Sequence, residues 1–181
     1  MDWATYHGDG ARTGAASVPV STPPRSLWTA HVNGAIYAQP VAASGLVVVA
    51  TERDVVVALD AATGAVRWST PLGSPVAGSS LPCGDIDPSG ITGTPVVAGG
   101  VVYVAAFVAP AHHVLFAIDL LTGAIREQSP VDLPGLSPTV EQQRGALTVA
   151  NGRVYVPFGG LYGDCGQYKG GVVGATLADL S

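Results

Sequence analysis

The chain has 181 residues, of which 48% are hydrophobic and 12% charged, and this composition excludes an intrinsically disordered protein. Its net charge of −5, with only eight Lys and Arg scattered along the chain, excludes a basic surface for nucleic acid. The 24 Gly and 14 Pro predict many turns between short strands, which indicates an all-β protein.

The sequence shows neither the pattern of a membrane span nor that of a signal peptide. No apolar run approaches the roughly 18 residues that a membrane span needs. The start, Met1-Asp-Trp-Ala, lacks the basic and apolar regions of a signal peptide. We therefore expect either a cytoplasmic protein or an exported one whose leader is missing from this chain.

The N-terminal segment is predicted to form an arm followed by a single outer strand. Residues 2–26 have the composition of a loop, with Trp3 and Tyr6 as its packing aromatics. The stretch 27–34 aligns with a later fourth strand, and so it predicts an outer strand without partner strands before it. In a ring of blades, such a strand completes a blade whose other strands come from the far end of the chain.

A long internal repeat organises the rest of the sequence. Its copies align at Gly45, Gly100 and Gly152, which are 55 and 52 residues apart. These periods are close to those of propeller blades and differ from those of helical arrays. Each copy predicts a four-stranded blade, with a Gly-containing turn after the first strand and a Thr-Gly turn after the third. Continuous apolar runs, typical of strands covered on both faces, occupy 46–50, 55–59, 101–106 and 114–118.

The turn after the third strand has a distinctive sequence. In the first copy an apolar run ends at Asp60, Thr63-Gly64 closes a turn, and a fourth strand carries Trp68. Gly relieves the steric cost of a positive φ angle, while Asp and Thr side chains can hydrogen-bond the turn backbone. Each copy therefore predicts a hairpin corner. The second copy repeats the pattern with Ala117, Asp119, Thr122 and Gly123.

The later copies depart from this pattern. Glu127 stands at the aromatic position of the second copy, which predicts a weaker contact at that blade. In the third copy, 172–177 aligns with the third strand, but the Asp is replaced and the sequence ends at Ser181 before a Thr-Gly turn. We predict four segments: an arm and orphan outer strand at 1–34, blade 1 with an inserted Cys-containing loop at 35–90, blade 2 at 91–145, and an unfinished blade 3 at 146–181.

Three blades are too few to close a ring, because propellers have about 4–8 blades and an open arc leaves strand edges unpaired. We therefore expect a fragment of a longer chain, whose remaining blades are its partners. The alternative is a ring made by two copies of this chain, in which residues 27–33 of each complete the other's third blade.

The inserted loop carries a calcium-like pattern. Asp85-x-Asp87-x-Ser89-Gly90 imitates the opening of a calcium loop, where carboxylates at alternate positions wrap the cation. The pattern fails further on, because Val96 stands where a bidentate Glu is needed. We predict a hydrogen-bonded turn and no metal site. The histidines are His7, His31, His112 and His113, and they are too far apart in sequence to suggest a metal site with the cysteines. We expect His112 and His113 to form a solvated loop pair.

The two cysteines, Cys83 and Cys165, lie in Gly-rich loops beside blade strands and could meet at one rim of the ring. Spacing alone does not choose between a disulfide and two reduced thiols. The sequence has no Gly-x-Ser-x-Gly elbow, His-Glu-x-x-His motif, phosphate loop or paired-Cys zinc spacing, so we assign no catalytic residue and no metal ligand.

The turn sequence resembles the tryptophan-docking motif of the quinoprotein-like, PQQ-repeat β-propellers, Ala-x-Asp-x-x-Thr-Gly-x-x-x-Trp. The match runs through Ala58, Asp60, Thr63, Gly64 and Trp68, and the resemblance covers roughly residues 2–177. It implies a partial β-propeller: about three four-stranded antiparallel blades of a ring with seven or eight blades. It also implies an exported protein, extracellular or in the cell envelope, and favours a disulfide between the two cysteines.

Enzymes of this family bind pyrroloquinoline quinone (PQQ) over the central channel with calcium, and many stack it on a disulfide of adjacent cysteines. No adjacent Cys pair exists here, and the stretch 169–175 only loosely resembles the Arg-Gly-x-Val-x-Ala strand of those enzymes. The calcium ligands cannot be placed, so cofactor-binding residues stay unassigned.

The sequence is therefore compatible with two functions. The same blades also form non-enzymatic scaffolds, such as the outer-membrane assembly lipoproteins. The favoured hypothesis is a cofactor-free binding or scaffold module that is not an enzyme and contacts other blades or other proteins. The alternative is the N-terminal part of a PQQ-dependent alcohol or sugar dehydrogenase, with PQQ and calcium as cofactors.

Overall fold

A computed structural model describes residues 2–18 and 23–181. Part of the predicted N-terminal loop, at 19–22, lies outside these residues. The described chain contains one short 3-10 turn, Gly78–Ser80, and is otherwise strand and loop. The strands are β1 Val41–Ala43, β2 Leu46–Thr51, β3 Val55–Asp60, β4 Val66–Pro71, β5 Val96–Ala98, β6 Val101–Val108, β7 His112–Asp119, β8 Ile125–Pro130, β9 Glu141–Gln142, β10 Thr148–Ala150, β11 Arg153–Gly160 and β12 Gly171–Thr176.

The strands form three antiparallel sheets of four strands each, which we call blades 1, 2 and 3. Blade 1 has the order β1-β2-β3-β4 and blade 2 the order β5-β6-β7-β8. Blade 3 has β10-β11-β12, with the short β9 pairing the far end of β11. Strand β5 contacts both β1 and β10, so the first strands converge at the inside of the arc. The predicted all-β fold with successive four-stranded sheets is confirmed.

The blades pack face to face, and blade 2 is covered on both sides. Along β6, Val102 and Val104 belong to the apolar cluster shared with blade 1. Their neighbours Tyr103 and Ala105 belong to the cluster shared with blade 3. Because successive side chains of a strand point to opposite faces, a strand between two blades must be apolar at every position. This arrangement explains the continuous apolar runs of the sequence.

The segment after the arm lies on the outer face of blade 1. Trp28, Ala30 and Val32 pack against the cluster of Val49, Val57 and Leu59. The intervening side chains are exposed, including Leu27 at 82%. This alternation is that of a strand with one covered face. No strand pairs with it among residues 2–18 and 23–181.

Each turn after a third strand forms a site that receives a side chain from a neighbouring blade or segment. We call this site the interblade seat. In blade 1 the Asp60 carboxylate accepts hydrogen bonds from Ala62 N, Thr63 N and the Thr63 hydroxyl. Gly64 has a φ of 72°, in the left-handed region that favours glycine. The turn is thereby held open with one carbonyl free, and blade 2 builds the same turn around Asp119.

A tryptophan occupies each of the first two seats. Trp68 comes from β4, the fourth strand of blade 1, and Trp28 comes from the segment that precedes blade 1. The Trp68 indole N–H donates to Leu120 O at 2.9 Å, and a Cβ on Gly123 would lie only 2.7 Å from the ring. Trp28 donates to Ala61 O at 3.0 Å in the seat of blade 1. A side chain larger than glycine would therefore displace the indole.

The seat of blade 3 is built with reversed chemistry. The Thr176 N–H donates to Ser181 O, just as the Asp60 N–H donates to Ala65 O in blade 1. Thr176 therefore stands at the position of the Asp. This is one residue earlier than the sequence alignment places it. Its hydroxyl donates to the Asp179 carboxylate. Blade 3 therefore forms this turn although it has no Thr-Gly sequence. The hydroxyl donor now stands at the Asp position, and the carboxylate acceptor stands at the Thr position.

Different side chains fill the third seat. Leu180, at a φ of 55°, stands where the other turns have glycine, and it is buried in the cluster between blades 2 and 3. The carbonyl of Leu177 accepts from the Tyr103 hydroxyl at 3.3 Å. Tyr103 pairs with Ala117 on β7, and Ala117 pairs in turn with Glu127 on β8. The aromatic donor thus comes from β6, two strands inward of β8, while the position of Glu127 carries no aromatic ring.

We expect Trp68→Ala to lower the free energy of unfolding by about 3–5 kcal/mol, because it empties a buried seat and leaves the Leu120 carbonyl unpaired. Denaturant unfolding measures the change. Leu121→Ala, in the same turn but 70% exposed, should change stability by less than about 0.5 kcal/mol. A loss below about 1 kcal/mol for Trp68→Ala would contradict the role of the seat.

A double-mutant cycle tests the exchange in the third seat. Because Glu127 is exposed, Glu127→Trp alone should change the free energy of unfolding by less than about 0.5 kcal/mol. Leu180→Gly should destabilise by about 2–5 kcal/mol through a cavity. Combined, the new indole can occupy the vacated space, so we expect a favourable coupling of at least about 1 kcal/mol. Strictly additive losses would show that the two positions do not share a seat.

Candidate functional site

The N-terminal arm crosses the inner strands of all three blades. It pairs with β1 through the backbone, accepts a hydrogen bond from β5, and reaches β10 through a guanidinium group. The contacts are Trp3 with Ala42, Ala4 with Val97, and Arg12 with Ala146 and Thr148. The arm therefore ties the three blades together at the inside of the arc.

A cavity of about 550 Å³ lies beside the arm. Three of its lining residues, Gln39, Thr94 and Ala146, each stand two positions before the first strand of a blade. Gln39 N donates to the Thr94 hydroxyl at 2.9 Å, which joins blades 1 and 2 at this wall. The volume is in the range of small-molecule sites.

The cavity is lined by basic and aromatic side chains. Arg12 and Arg144 contribute the positive charge, and Tyr6 and Tyr37 contribute rings. The Arg12 guanidinium lies 5.4 Å from the centre of the Tyr6 ring. The described lining contains no carboxylate. Such a site suits a planar anion, because guanidinium groups pair with carboxylates and stack on rings.

Buried carboxylates near the cavity are engaged with backbone amides. Glu141, 2% exposed, accepts from Lys169 N at 2.9 Å and Gly170 N at 3.3 Å, and so holds the loop before β12. Glu52, 1% exposed, accepts from Gly90 N at 2.7 Å. Sequence reasoning missed both acids, because neither belongs to a motif.

The histidine pair is not a solvated loop pair as expected from the sequence. His113 is buried, stacked on Phe107 at 4.4 Å between ring centroids, while His112 is exposed. Both Nδ1 atoms bond the Asp132 carboxylate, at 2.8 Å from His112 and 3.1 Å from His113. Burial raises the pKa of Asp132, and the bonds to both histidines outweigh it, so the pKa lies below its usual value. Alternation on β7, which buries one residue of the pair, was the available signal.

The calcium-like stretch is held through its second carboxylate to the 3-10 turn Gly78–Ser80. Asp87 Oδ1 accepts from Gly78 N at 2.8 Å, and the Ser89 backbone pairs with Val76. Asp85 is exposed. Within residues 2–18 and 23–181, no three His, Cys, Asp or Glu side chains are grouped as metal ligands.

A disulfide joins Cys83 and Cys165, whose Cα atoms are 6.1 Å apart. It links the loop inserted after blade 1 to the β11–β12 loop of blade 3 and spans 82 residues of sequence. The two loops meet at one rim of the arc, as the family resemblance implied.

Stacked four-stranded sheets with their first strands inside define an arc of a β-propeller. The profile of the PQQ-repeat family described as outer membrane protein assembly factor BamB matches residues 20–179, and the chain belongs to this family. No curated protein sequence matches the chain significantly.

Solved structures share the fold. Quinohemoprotein alcohol dehydrogenase from Comamonas testosteroni is 23% identical with a TM-score of 0.76, over 99% of this chain and 26% of its own. A europium-containing methanol dehydrogenase is 19% identical with a TM-score of 0.71, over 99% and 30% of the two chains. BamB from Moraxella catarrhalis is 17% identical with a TM-score of 0.51, over 84% and 41%. The chain thus spans about a quarter of the length of the first of these proteins.

This arc lacks two parts of a PQQ and calcium site of the family type: the adjacent-cysteine platform and, in the described lining of the cavity, carboxylate ligands for calcium. Both cysteines are bonded to each other across 82 residues, so the arc supplies no adjacent-cysteine platform. Calcium needs several oxygen ligands, usually including carboxylates, and the described lining of the cavity has no carboxylate.

In the described part of the chain, no helix is long and apolar enough to span a membrane.

Removal of the disulfide should destabilise the arc. We expect Cys83→Ser, Cys165→Ser and the double variant each to lose about 2–4 kcal/mol, since any of them frees the unfolded chain from the cross-link. Denaturant unfolding without reductant measures the loss. Mass spectrometry of an unreduced digest should show one linked peptide pair, and two alkylated thiols would contradict the bridge.

Proposed function

We propose that the chain is part of an exported PQQ-like β-propeller and acts as a binding or scaffold module without catalytic activity of its own. The observation that carries this proposal is the commitment of both cysteines to one bridge between distant loops. The engagement of Glu52 and Glu141 with backbone amides adds to it, because these acids already have structural partners.

The proposed partners are the remaining blades of a longer parent chain or a second copy of this one. The strand-like segment 27–33 supports this, because one face packs on blade 1 while no described strand pairs with it. An extended segment with free backbone groups is suited to strand addition. The similarity to BamB supports an extracellular or cell-envelope location and other proteins as partners.

The cavity favours a second candidate, the N-terminal part of a PQQ-dependent dehydrogenase acting on alcohols or sugars. Arg12, Arg144 and the two tyrosines would suit a planar polycarboxylate such as PQQ. When bound, the quinone would supply the oxidising chemistry. Calcium ligands would then have to come from blades beyond this arc.

Titration with PQQ in the presence of calcium separates the two candidates. For the scaffold module we expect no stoichiometric change in PQQ absorbance and no dye-linked oxidation of alcohols or sugars, because an open arc walls only one side of a channel. Small-molecule sites usually bury about 70–90% of the ligand surface, and a channel walled on one side should leave PQQ more exposed than that.

Stoichiometric binding with turnover would overturn the scaffold proposal. Arg144→Ala is the matched variant, since binding through the cavity should then weaken by about 1.5–3 kcal/mol for a lost charged hydrogen bond. Binding that Arg144→Ala leaves unchanged would lie outside the cavity and would not support the dehydrogenase.

A further inference from the structure

Two adjacent acids are buried at the tip of the hairpin between β2 and β3. Glu52 is 1% exposed and Asp54 is fully buried. Among residues 2–18 and 23–181, both Asp54 carboxyl oxygens and Glu52 Oε1 lack a hydrogen-bond partner. Buried polar atoms are otherwise nearly always paired, so three unpaired oxygens in one hairpin mark a place where an ionised carboxylate is costly.

Burial without a hydrogen-bond partner in the described part of the chain favours the protonated form of Asp54. An ionised carboxylate without a partner is very costly in an apolar interior, and the group keeps its proton instead. Burial, followed by the neighbouring Glu52 charge, raises the pKa of Asp54 to about 8. Burial also raises the pKa of Glu52, although its bond from Gly90 N opposes the change.

The charged groups around the pair compensate only Glu52. Arg144, on the blade 3 side, stabilises the Glu52 carboxylate, whereas only burial and Glu52 act on Asp54. Glu52 also lines a second cavity of about 250 Å³, together with Arg53, Asp87 and Tyr37. Among residues 2–18 and 23–181, no cation supports the ionised form of Asp54 as Arg144 supports that of Glu52.

The acid pair lies directly against the wall of the arginine-lined cavity. Gly90 N donates to Glu52 Oε2 at 2.7 Å, and a Cβ on Gly90 would lie 2.6 Å from Asp54 Oδ1. The next residue, Ile91, donates its N–H to Thr51 O at 3.4 Å. Thr92 follows and lines the cavity with Arg144. Charge on Asp54 would thus act on the segment 90–92.

We propose that Glu52 and Asp54 form a proton-controlled latch, which holds the segment 90–92 against blade 1 while Asp54 is protonated and releases it at alkaline pH. The cavity wall then loosens as pH rises. The latch does not depend on which of the two functions above is correct, because it uses only contacts within the arc.

The direction of the pH dependence follows from the sign of the shift. The pKa of Asp54 is higher in the folded chain than its usual 3.8, so its stabilising effect is complete below about pH 4. The effect declines as pH rises and is lost above about pH 8.

Amide hydrogen exchange between pH 5.5 and 8.5 tests the latch. After correction for base catalysis, protection of the Gly90 and Ile91 amides should fall by up to about tenfold per pH unit, because opening releases one proton. Protection of the Val102 and Ile118 amides in blade 2 should not fall in this way. The melting temperature should decline by about 3–5 °C per pH unit.

Asp54→Asn should remove this pH slope, because the amide does not titrate. Asp85→Asn, an exposed acid in the inserted loop, should keep the slope of the parent chain. If Asp54→Asn does not fold, the exchange profile of the unaltered chain remains decisive.

Protection at Gly90 and Ile91 that is independent of pH overturns the latch, and so does an unchanged slope in Asp54→Asn. A melting temperature at pH 8 that millimolar calcium raises above its value in EDTA, only when Asp54 is present, also overturns it. That result would assign the pair to a cation instead of a proton.

Discussion

The contact on which the arc depends is the seating of one blade on the turn of the next. Stacked blades bury both faces of their strands, so the carbonyl left open by each third-strand turn needs a donor from the neighbouring blade. An indole suits this position because it combines a large apolar surface with one N–H. Trp68 meets both requirements at once, filling the space over Gly123 and bonding Leu120 O.

The third seat shows that the requirement is physical and not a matter of one residue type. A donor must reach the carbonyl and the volume must be filled, and here Tyr103 and Leu180 divide these tasks. The reversed Thr176–Asp179 pair closes the turn as well as the Asp–Thr pairs do. A motif search that looks for tryptophan and glycine alone misses such an interface.

The inside of the arc combines three elements that are distant in sequence: the N-terminal arm, the inserted loop and the start of blade 3. They meet around a cavity with two arginines, next to a hairpin with two buried acids. The acids lie behind the wall of this cavity, while its described lining is basic and aromatic.

The sequence by itself determined the all-β class, the repeat and the succession of four-stranded sheets, because period, glycine turns and continuous apolar runs are local signals. It missed the Tyr103 contact, the burial of His113 beside Asp132 and the burial of Glu52 and Asp54 in one hairpin. These features depend on which strands become neighbours across blades. Local patterns specify a strand's own faces, but only the stacking of the blades decides which polar groups lose water and which partners remain to them.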